Sequence, residues 1–399
     1  MTLQTDIKIK QDFVQQYKNG YPLLSREIFT KFSKDTKEGA ILNLFDERDN
    51  FIAKGYYGLQ NKGFGWVLSY KKDEKIDIYF FSNKLKIALN YRKDFFSDAK
   101  TTAFRIFNGE GDGIGGLTID YFDGFYLFTW YSLGIYELKN NILEAFKGCV
   151  DYKGIYQKKR FDGKGKYLDD KDDFLFGVKA PEPLIIKENN VKFAIYLDDG
   201  AMVGLFLDQR EVRKTIRDKY AKEKTLLNTF SYTGAFSVFG AVGGAKKTTS
   251  VDLAKRSTTK TSEQFRINNI NPQEQNIIVE DVFNYFKYAV RNKMLFDIVV
   301  VDPPSFARSK KHTFSANKDY VKLLKEVIQI TNEGGVIVAS TNSANFSMMR
   351  FHDFISTAFK ELKGKYKVLD SFSLPKDFKT LKQFPEGDYL KVVFVKKIR

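Results

Sequence analysis

The sequence predicts an α/β protein. A C-terminal Rossmann-like parallel sheet with an antiparallel last strand follows a small β-rich domain and a central α+β domain. Three observations carry this expectation. From Leu184 onward, short apolar runs alternate with segments of helical spacing, and such alternation forces right-handed crossovers and a parallel sheet. Within it, Leu226–Asp252 reads as a strand–turn–helix–strand unit, its second strand ending in a carboxylate eighteen positions after Gly234. Upstream, short strands separated by polar turns replace the alternation. At 399 residues the chain is too long for one core, and 43% hydrophobic content with 38 Phe and 22 Tyr can fill several. The expected domains are 1–72, 73–183 and 184–399.

In the first domain, Asp12–Asn19 is a helical lead-in and Tyr21–Phe29 an extended segment. Gly39–Phe45 and Phe51–Tyr57 flank a polar turn, 46–50, as a β-hairpin, and Trp66–Tyr70 adds a strand. In the second, Ile76–Phe81 alternates as a strand would, and Ser82–Phe96 has helical spacing with a basic face. Thr102–Asn108 leads into the glycine-dense stretch 109–116, which contains two acids and no following Lys-Ser/Thr. A tight loop between strands fits it better than a phosphate cradle. Leu117–Asp120 and Phe125–Tyr131 form a hairpin around Asp123-Gly124, Leu138–Phe146 a helix, and Gly154–Arg160 a segment ending in a basic cluster. Residues 164–173 are charged and irregular, and Ala180-Pro181-Glu182-Pro183 marks a boundary.

In the third, strands are expected at Thr225–Phe230, Thr248–Asp252, Asn276–Glu280, Phe296–Asp302, Gly335–Ser340, Tyr366–Leu374 and Tyr389–Val395. Helices are expected at Glu211–Tyr220, Ala235–Val242, Lys255–Asn268, Val282–Asn292, Asp319–Thr331 and Phe351–Leu362. In such a sheet ligands bind beyond the C-terminal strand ends. Those ends carry Asn228-Thr229-Phe230, Asp252, Glu280-Asp281-Val282 and Asp302-Pro303-Pro304-Ser305-Phe306. Asp252 can accept from both ribose hydroxyls, and an acid after the third strand can accept from an adenine amino group. The turn 231–234 has one glycine and no G-x-G-x-x-G, favouring a nucleoside ligand such as S-adenosylmethionine over a dinucleotide. Two prolines after Asp302 withhold their N–H groups and present the acid and nearby carbonyls rigidly, with Phe306 as a stacking face. Helix capping explains any single acid of this set, though not all four together.

The balance of 65 Lys+Arg against 49 Asp+Glu, net +16, is drawn to polyanions, nucleic acid above all. Lys158, Lys159, Arg160, Arg308, Lys310 and Lys311 are the candidate phosphate contacts. One cysteine excludes an internal disulfide and, with only His312 and His352, a Cys/His zinc site. No apolar run is long enough to span a membrane and no signal-peptide core is visible, so a cytoplasmic protein is expected.

The motifs LDQR (207–210), NTFSYTGAFSVFGAVGGA (228–245), VDPPSFARSKK (301–311) and FPEGDYLK (384–391) resemble those of large-subunit rRNA methyltransferases with an N-terminal PUA domain. Residues 38–58 look like the PUA hairpin and 104–124 like that family's central domain, while 185–399 resemble a class I S-adenosylmethionine-dependent methyltransferase. The resemblance implies a bound S-adenosylmethionine, a base of 23S rRNA or of a ribosomal particle as substrate, and neither metal nor membrane; a homodimer is compatible with it. It implies that Asn228, Phe230, Tyr232, Thr233 and Gly234 line the methionine side and that Asp252 holds the ribose. Asp281 and Val282 would meet the adenine, Asp208 and Arg210 would close the pocket, and Asp302 would contribute at the cofactor's edge.

One departure bears on the reaction. Members that methylate cytosine C5 first add a cysteine thiolate to C6, and that cysteine is expected after the fifth strand. The segment here reads Ser340-Thr341-Asn342-Ser343-Ala344-Asn345, and Asn342 is no nucleophile. Cys149 lies elsewhere, as a packing residue. The expectation is therefore direct methylation of a base nitrogen, guanine above all, with Asp302, Pro303, Phe306 and Asn342 around the base. A cytosine-C5 enzyme and a non-catalytic RNA-binding assembly factor are the alternatives. A nicotinamide dehydrogenase lacks its fingerprint, and a small-molecule methyltransferase leaves the charge and the upstream domains without a use.

Overall fold

The computed structural model describes residues 4–33, 35–60, 63–161, 173–200, 202–308 and 313–399. The chain divides into two compact units, Met1–Ile186 with Tyr196–Val203 and Lys376–Gly387, and Lys187–Ile195 with Gly204–Pro375 and Asp388–Arg399.

The first unit holds two five-stranded sheets. In one, Gln4–Lys8, Ile41–Phe45, Phe51–Gln60, Gly63–Ser69 and Leu23–Leu24 lie in that order, all antiparallel except the first pair. In the other, the order is Phe174–Gly177, Gly154–Lys159, Phe125–Trp130, Leu117–Phe122 and Ala103–Asn108. Its single parallel pair, Phe125–Trp130 with Gly154–Lys159, is joined through the helices Leu133–Glu137 and Lys139–Lys147. Tyr56, Trp66, Phe104, Phe128 and Trp130 share one buried core.

One expectation for this unit changes. Residues 76–81 are not a strand: Asp77 caps a helix, Ile78–Tyr91, accepting from Tyr79 N at 3.0 Å and Phe80 N at 3.1 Å. The alternation was too short to compete with a good N-cap followed by buried Phe80, Phe81, Leu85 and Ala88 on one helical face. The glycine-dense stretch is a tight loop, and it also receives Lys376–Gly387. Asn108 Nδ2 donates to the Lys379 carbonyl at 2.9 Å, and a Cβ on Gly111 would lie 1.8 Å from that oxygen. Asp377 Oδ2 accepts from Arg105 N at 2.9 Å, and Phe384 packs edge-on against Trp66. Lys376–Gly387 thus belongs to the first unit by packing, although the elements flanking it in sequence belong to the second.

The second unit, which also holds the short strands Val191–Ile195, Phe306–Arg308 and Thr313–Ser315, is built on a seven-stranded sheet. Its elements are β1 (Thr225–Thr229), α1 (Ala235–Val242), β2 (Lys247–Asp252), α2 (Arg256–Ile267), β3 (Asn276–Val279), α3 (Val282–Arg291) and β4 (Phe296–Val301). They continue with α4 (Ala316–Gln329), β5 (Thr331–Thr341), α5 (Met348–Glu361), β6 (Tyr366–Phe372) and β7 (Lys391–Lys397). The strand order is β3-β2-β1-β4-β5-β7-β6, with β7 antiparallel to both neighbours and the other pairs parallel. Alternate residues of the central strands face two cores. Leu227, Val299, Val301 and Ile337 pack toward α3, α4 and α5, and Leu226, Ile298, Val300 and Val338 pack toward Val212, Ile216 and Phe236. Burial on both faces explains why these strands read as continuous apolar runs. Registers Thr229↔Val251, Asp252↔Val279, Thr229↔Val301 and Val301↔Ala339 bring the C-terminal ends of five strands to one edge.

Candidate active site

The β1–α1 turn is built on left-handed backbone. Phe230 has φ +53°, Tyr232 φ +51° and Gly234 φ +77°. A non-glycine residue there is strained by roughly 1–3 kcal/mol, and such residues concentrate where a ligand is held. Asp252 secures the turn, its Oδ2 accepting from Tyr232 N at 2.8 Å and its Oδ1 from Ala254 N at 2.9 Å. A carboxylate has about four acceptor positions, and these two bonds use half of them. Thr233 Oγ1 donates to the Gly204 carbonyl at 2.7 Å, fixing the turn to the segment that leads into Leu207–Arg210. Asn228 is buried with Nδ2 donating to Ser237 Oγ at 3.1 Å, while its Oδ1 has no partner.

Asp281 is the N-cap of α3, its Oδ1 accepting from Phe283 N at 2.9 Å and Asn284 N at 3.3 Å. The first turn of α3 begins at the buried Val282, and Asp281 N donates to Glu280 Oε1 at 2.9 Å. Asp208 accepts from Tyr389 Oη at 3.0 Å, and Arg210 is buried beside Glu211, its Nε 3.4 Å from Oε1.

Asp302 sits at the end of β4, where Gln209 Nε2 donates to its Oδ2 at 3.2 Å and to Ser340 Oγ at 2.8 Å. Burial pushes the Asp302 carboxyl up to about 6, the Asp208 carboxylate adds to the rise, and Ser340, Arg213 and Gln209 oppose it. The group is still mostly ionised at neutral pH. Pro303 is buried and Pro304 exposed, which holds the loop rigid. Ser305 Oγ donates to Asn342 Oδ1 at 2.6 Å, tying this loop to the exposed residue that follows β5.

Several positioning residues were not among those singled out. Arg213 makes a buried bidentate pair with Glu188, Nε–Oε1 2.7 Å and Nη2–Oε2 2.8 Å, and also donates to the Phe206 carbonyl at 2.7 Å. Lys391, 5% exposed, donates to the carbonyls of Ser343 at 3.1 Å, Tyr389 at 3.1 Å and Asp388 at 3.3 Å, and burial lowers its pKa. It thereby clamps the segment after β5 to the entry of β7. Gln209, Tyr389 and Lys391 lie inside quoted motifs, so a signal existed. Glu188 and Arg213 carry none, being charges whose burial depends on each other.

Lys158 needs correcting as a phosphate contact. It is 1% exposed and ion-paired with Asp173, because Gly154–Lys159 is an interior strand of its sheet. Lys159 lies over the Tyr136 ring at 5.2 Å, and Arg160 Nη2 is 3.1 Å from Met202 Sδ. The side chains of Phe306 and Arg308, and Lys310 and Lys311 altogether, lie outside the described residues, as does most of 164–173. Among the described residues no group of His, Cys, Asp and Glu could hold a metal, and no helix is long and apolar enough to cross a membrane.

An αL glycine turn, a half-used carboxylate after β2 and a capping acid after β3 fit an adenosyl ligand on this sheet. A family model described as S-adenosylmethionine-dependent methyltransferase matches residues 105–360, and one described as PUA-like domain matches 7–70. A Bacillus subtilis protein provisionally named ribosomal RNA large subunit methyltransferase YwbD is 54% identical over 393 residues, covering 98% of this chain and 99% of that one. Ribosomal RNA large subunit methyltransferase I of Pseudoalteromonas translucida is 28% identical over 380 residues, covering 95% and 96%. Among solved structures, SMU.776, a provisionally named methyltransferase complexed with SAH, superposes with a TM-score of 0.90 at 39% identity, covering 99% of this chain and 100% of that one. The chain belongs to the S-adenosylmethionine-dependent methyltransferase family, in the branch that carries an N-terminal PUA-like domain.

Proposed function

We propose that this enzyme methylates a base of 23S ribosomal RNA, and that the acceptor is a guanine nitrogen reached by direct transfer. The names of its full-length relatives support the substrate. The observation that carries the choice of atom is Asn342, engaged with Ser305 where attack on a pyrimidine ring would need a thiolate. The only cysteine, Cys149, belongs to the first unit, with Sγ 3.5 Å from Ser82 Oγ.

Bound S-adenosylmethionine supplies an electrophilic methyl group on its sulfonium. The chain's own task is then to orient a nitrogen lone pair and exclude water, which needs no covalent intermediate. Asp302, its Oδ2 held by Gln209, accepts hydrogens from the guanine edge and raises electron density on the ring. Pro303 and the Ser305–Asn342 bond hold the surrounding loop still. Asp208, Arg210, Asn228, Phe230, Tyr232, Thr233, Gly234, Asp252, Asp281 and Val282 line the cofactor's side. The PUA-like domain, with Lys159 and Arg160, contributes contacts to the phosphate backbone. The protein acts in the cytoplasm, where its substrate is made.

Nucleoside mass spectrometry on large-subunit rRNA from cells with and without this gene tests the reading. Loss of a methylguanosine is expected. Loss of 5-methylcytidine overturns the choice of atom, and an unchanged nucleoside profile overturns the substrate.

A further inference from the structure

Phe206 is a large apolar side chain left 45% exposed immediately before Leu207–Arg210. Leu205 and Leu207 on either side are buried, at 6% and 5%, so packing turns the leucines inward and the phenyl ring outward. One exposed phenylalanine is ordinary on a protein surface. Two features distinguish this one. Its backbone is anchored by buried groups: Arg213 Nη2 holds the Phe206 carbonyl at 2.7 Å while Glu188 holds Arg213, and Thr233 Oγ1 holds the Gly204 carbonyl at 2.7 Å. Its ring also rests on Tyr232, with centroids 5.4 Å apart and planes at 53°, which restrains the rotamer. Three residues further on, Gln209 holds Asp302.

A base drawn out of an RNA helix loses the neighbours it stacked on, and an enzyme that takes it in must offer a replacement face. The geometry points to Phe206 as that face: a pre-positioned platform on which the target base stacks while Asp302 reads its edge. The arrangement divides the work between elements, Arg213 and Tyr232 holding the ring in place and Gln209 holding the carboxylate. This role rests on the nucleobase substrate proposed above. Pre-positioning matters because a ring already held in place loses little freedom when the base arrives.

The test uses the full-length protein and large-subunit rRNA isolated from cells lacking the gene. Phe206→Ala should lower kcat/KM for methyl transfer by roughly 10- to 100-fold, the scale of base–aromatic stacking. Calorimetry should find S-adenosylmethionine affinity within about twofold of wild type, because the ring serves the base and not the cofactor. Phe206→Trp should restore transfer and Phe206→Leu should not, since only the former offers a π-face. Because the ring is exposed, Phe206→Ala should melt with the wild type. An active wild type matched by Phe206→Ala overturns the stacking role alone, as does a parallel loss of cofactor affinity or rescue by leucine. A wild type inactive on this RNA overturns the substrate reading and this role with it.

Discussion

Asp302→Asn should make the protein more stable at neutral pH while removing its activity. The Asp302 carboxyl stands at about 6 against an ordinary 3.8, and burial is the main cause. A folded-state pKa above the unfolded one means that ionisation disfavours folding. The penalty is absent below about 3.8, grows as pH rises toward 6, and is complete above that. A gap of about 2, at 1.36 kcal/mol for each pKa unit, sets an upper limit of about 3 kcal/mol. Asp302 is only partly buried by surface area, and solvent screening reduces this to about 1–2 kcal/mol. Asparagine has nearly the same shape, can still accept from Gln209, and cannot ionise. The assay is thermal unfolding of both proteins from pH 5 to 8. Asp302→Asn should melt higher at pH 7.5, by roughly 2–8 °C for a domain of this size. The advantage should shrink as pH falls through 6. Methyl transfer by the wild type should decline over the same interval as the carboxylate is protonated. A variant no more stable than wild type at pH 7.5, or one whose advantage is the same at pH 5 and 8, would refute the reasoning. The trade is expected of a site residue: a charge kept in a poorly solvated position for the sake of what it binds.

Two other substitutions probe the frame. Arg213→Met strands Glu188, 0% exposed, without its partner and should cost roughly 3–5 kcal/mol, whereas adding Glu188→Leu should recover most of that; urea unfolding in which the single variant loses less than about 1 kcal/mol contradicts the assignment. Gly234→Ala places a Cβ 2.4 Å from Thr261 Cγ2 at φ +77° and should destabilise by about 1–2 kcal/mol or more. It should also weaken S-adenosylmethionine binding, and calorimetry showing native affinity would remove the turn from the cofactor site.

Much of this molecule was legible in its residues. The alternation of apolar runs and helical spacing located the seven strands of the second unit's large sheet, because central strands buried on both faces read as apolar runs and helices buried on one face read at helical spacing. Asp252 and Asp302 were legible as strand-end acids since a strand's last residue is set by the strand itself. The antiparallel direction of β7 is not carried by the alternation, which predicts only parallel strands; it agrees with what the family resemblance implied. Local chemistry misled where two local signals competed, as when Asp77's capping outweighed a six-residue alternation.

What only tertiary structure decided depends on partners far away in the chain. Lys158 looks like a solvent-facing base until the sheet places Asp173 beside it. The glycine-dense loop has no evident purpose until Lys379, some 270 residues later, lays its carbonyl against Gly111 and Asn108. Gln209 and Asp302, 93 residues apart, become one unit only when Leu207–Gln209 reaches the end of β4. Burial and pairing of polar groups are properties of packing, and a charged residue's neighbours at long sequence separation leave no periodic trace in the sequence.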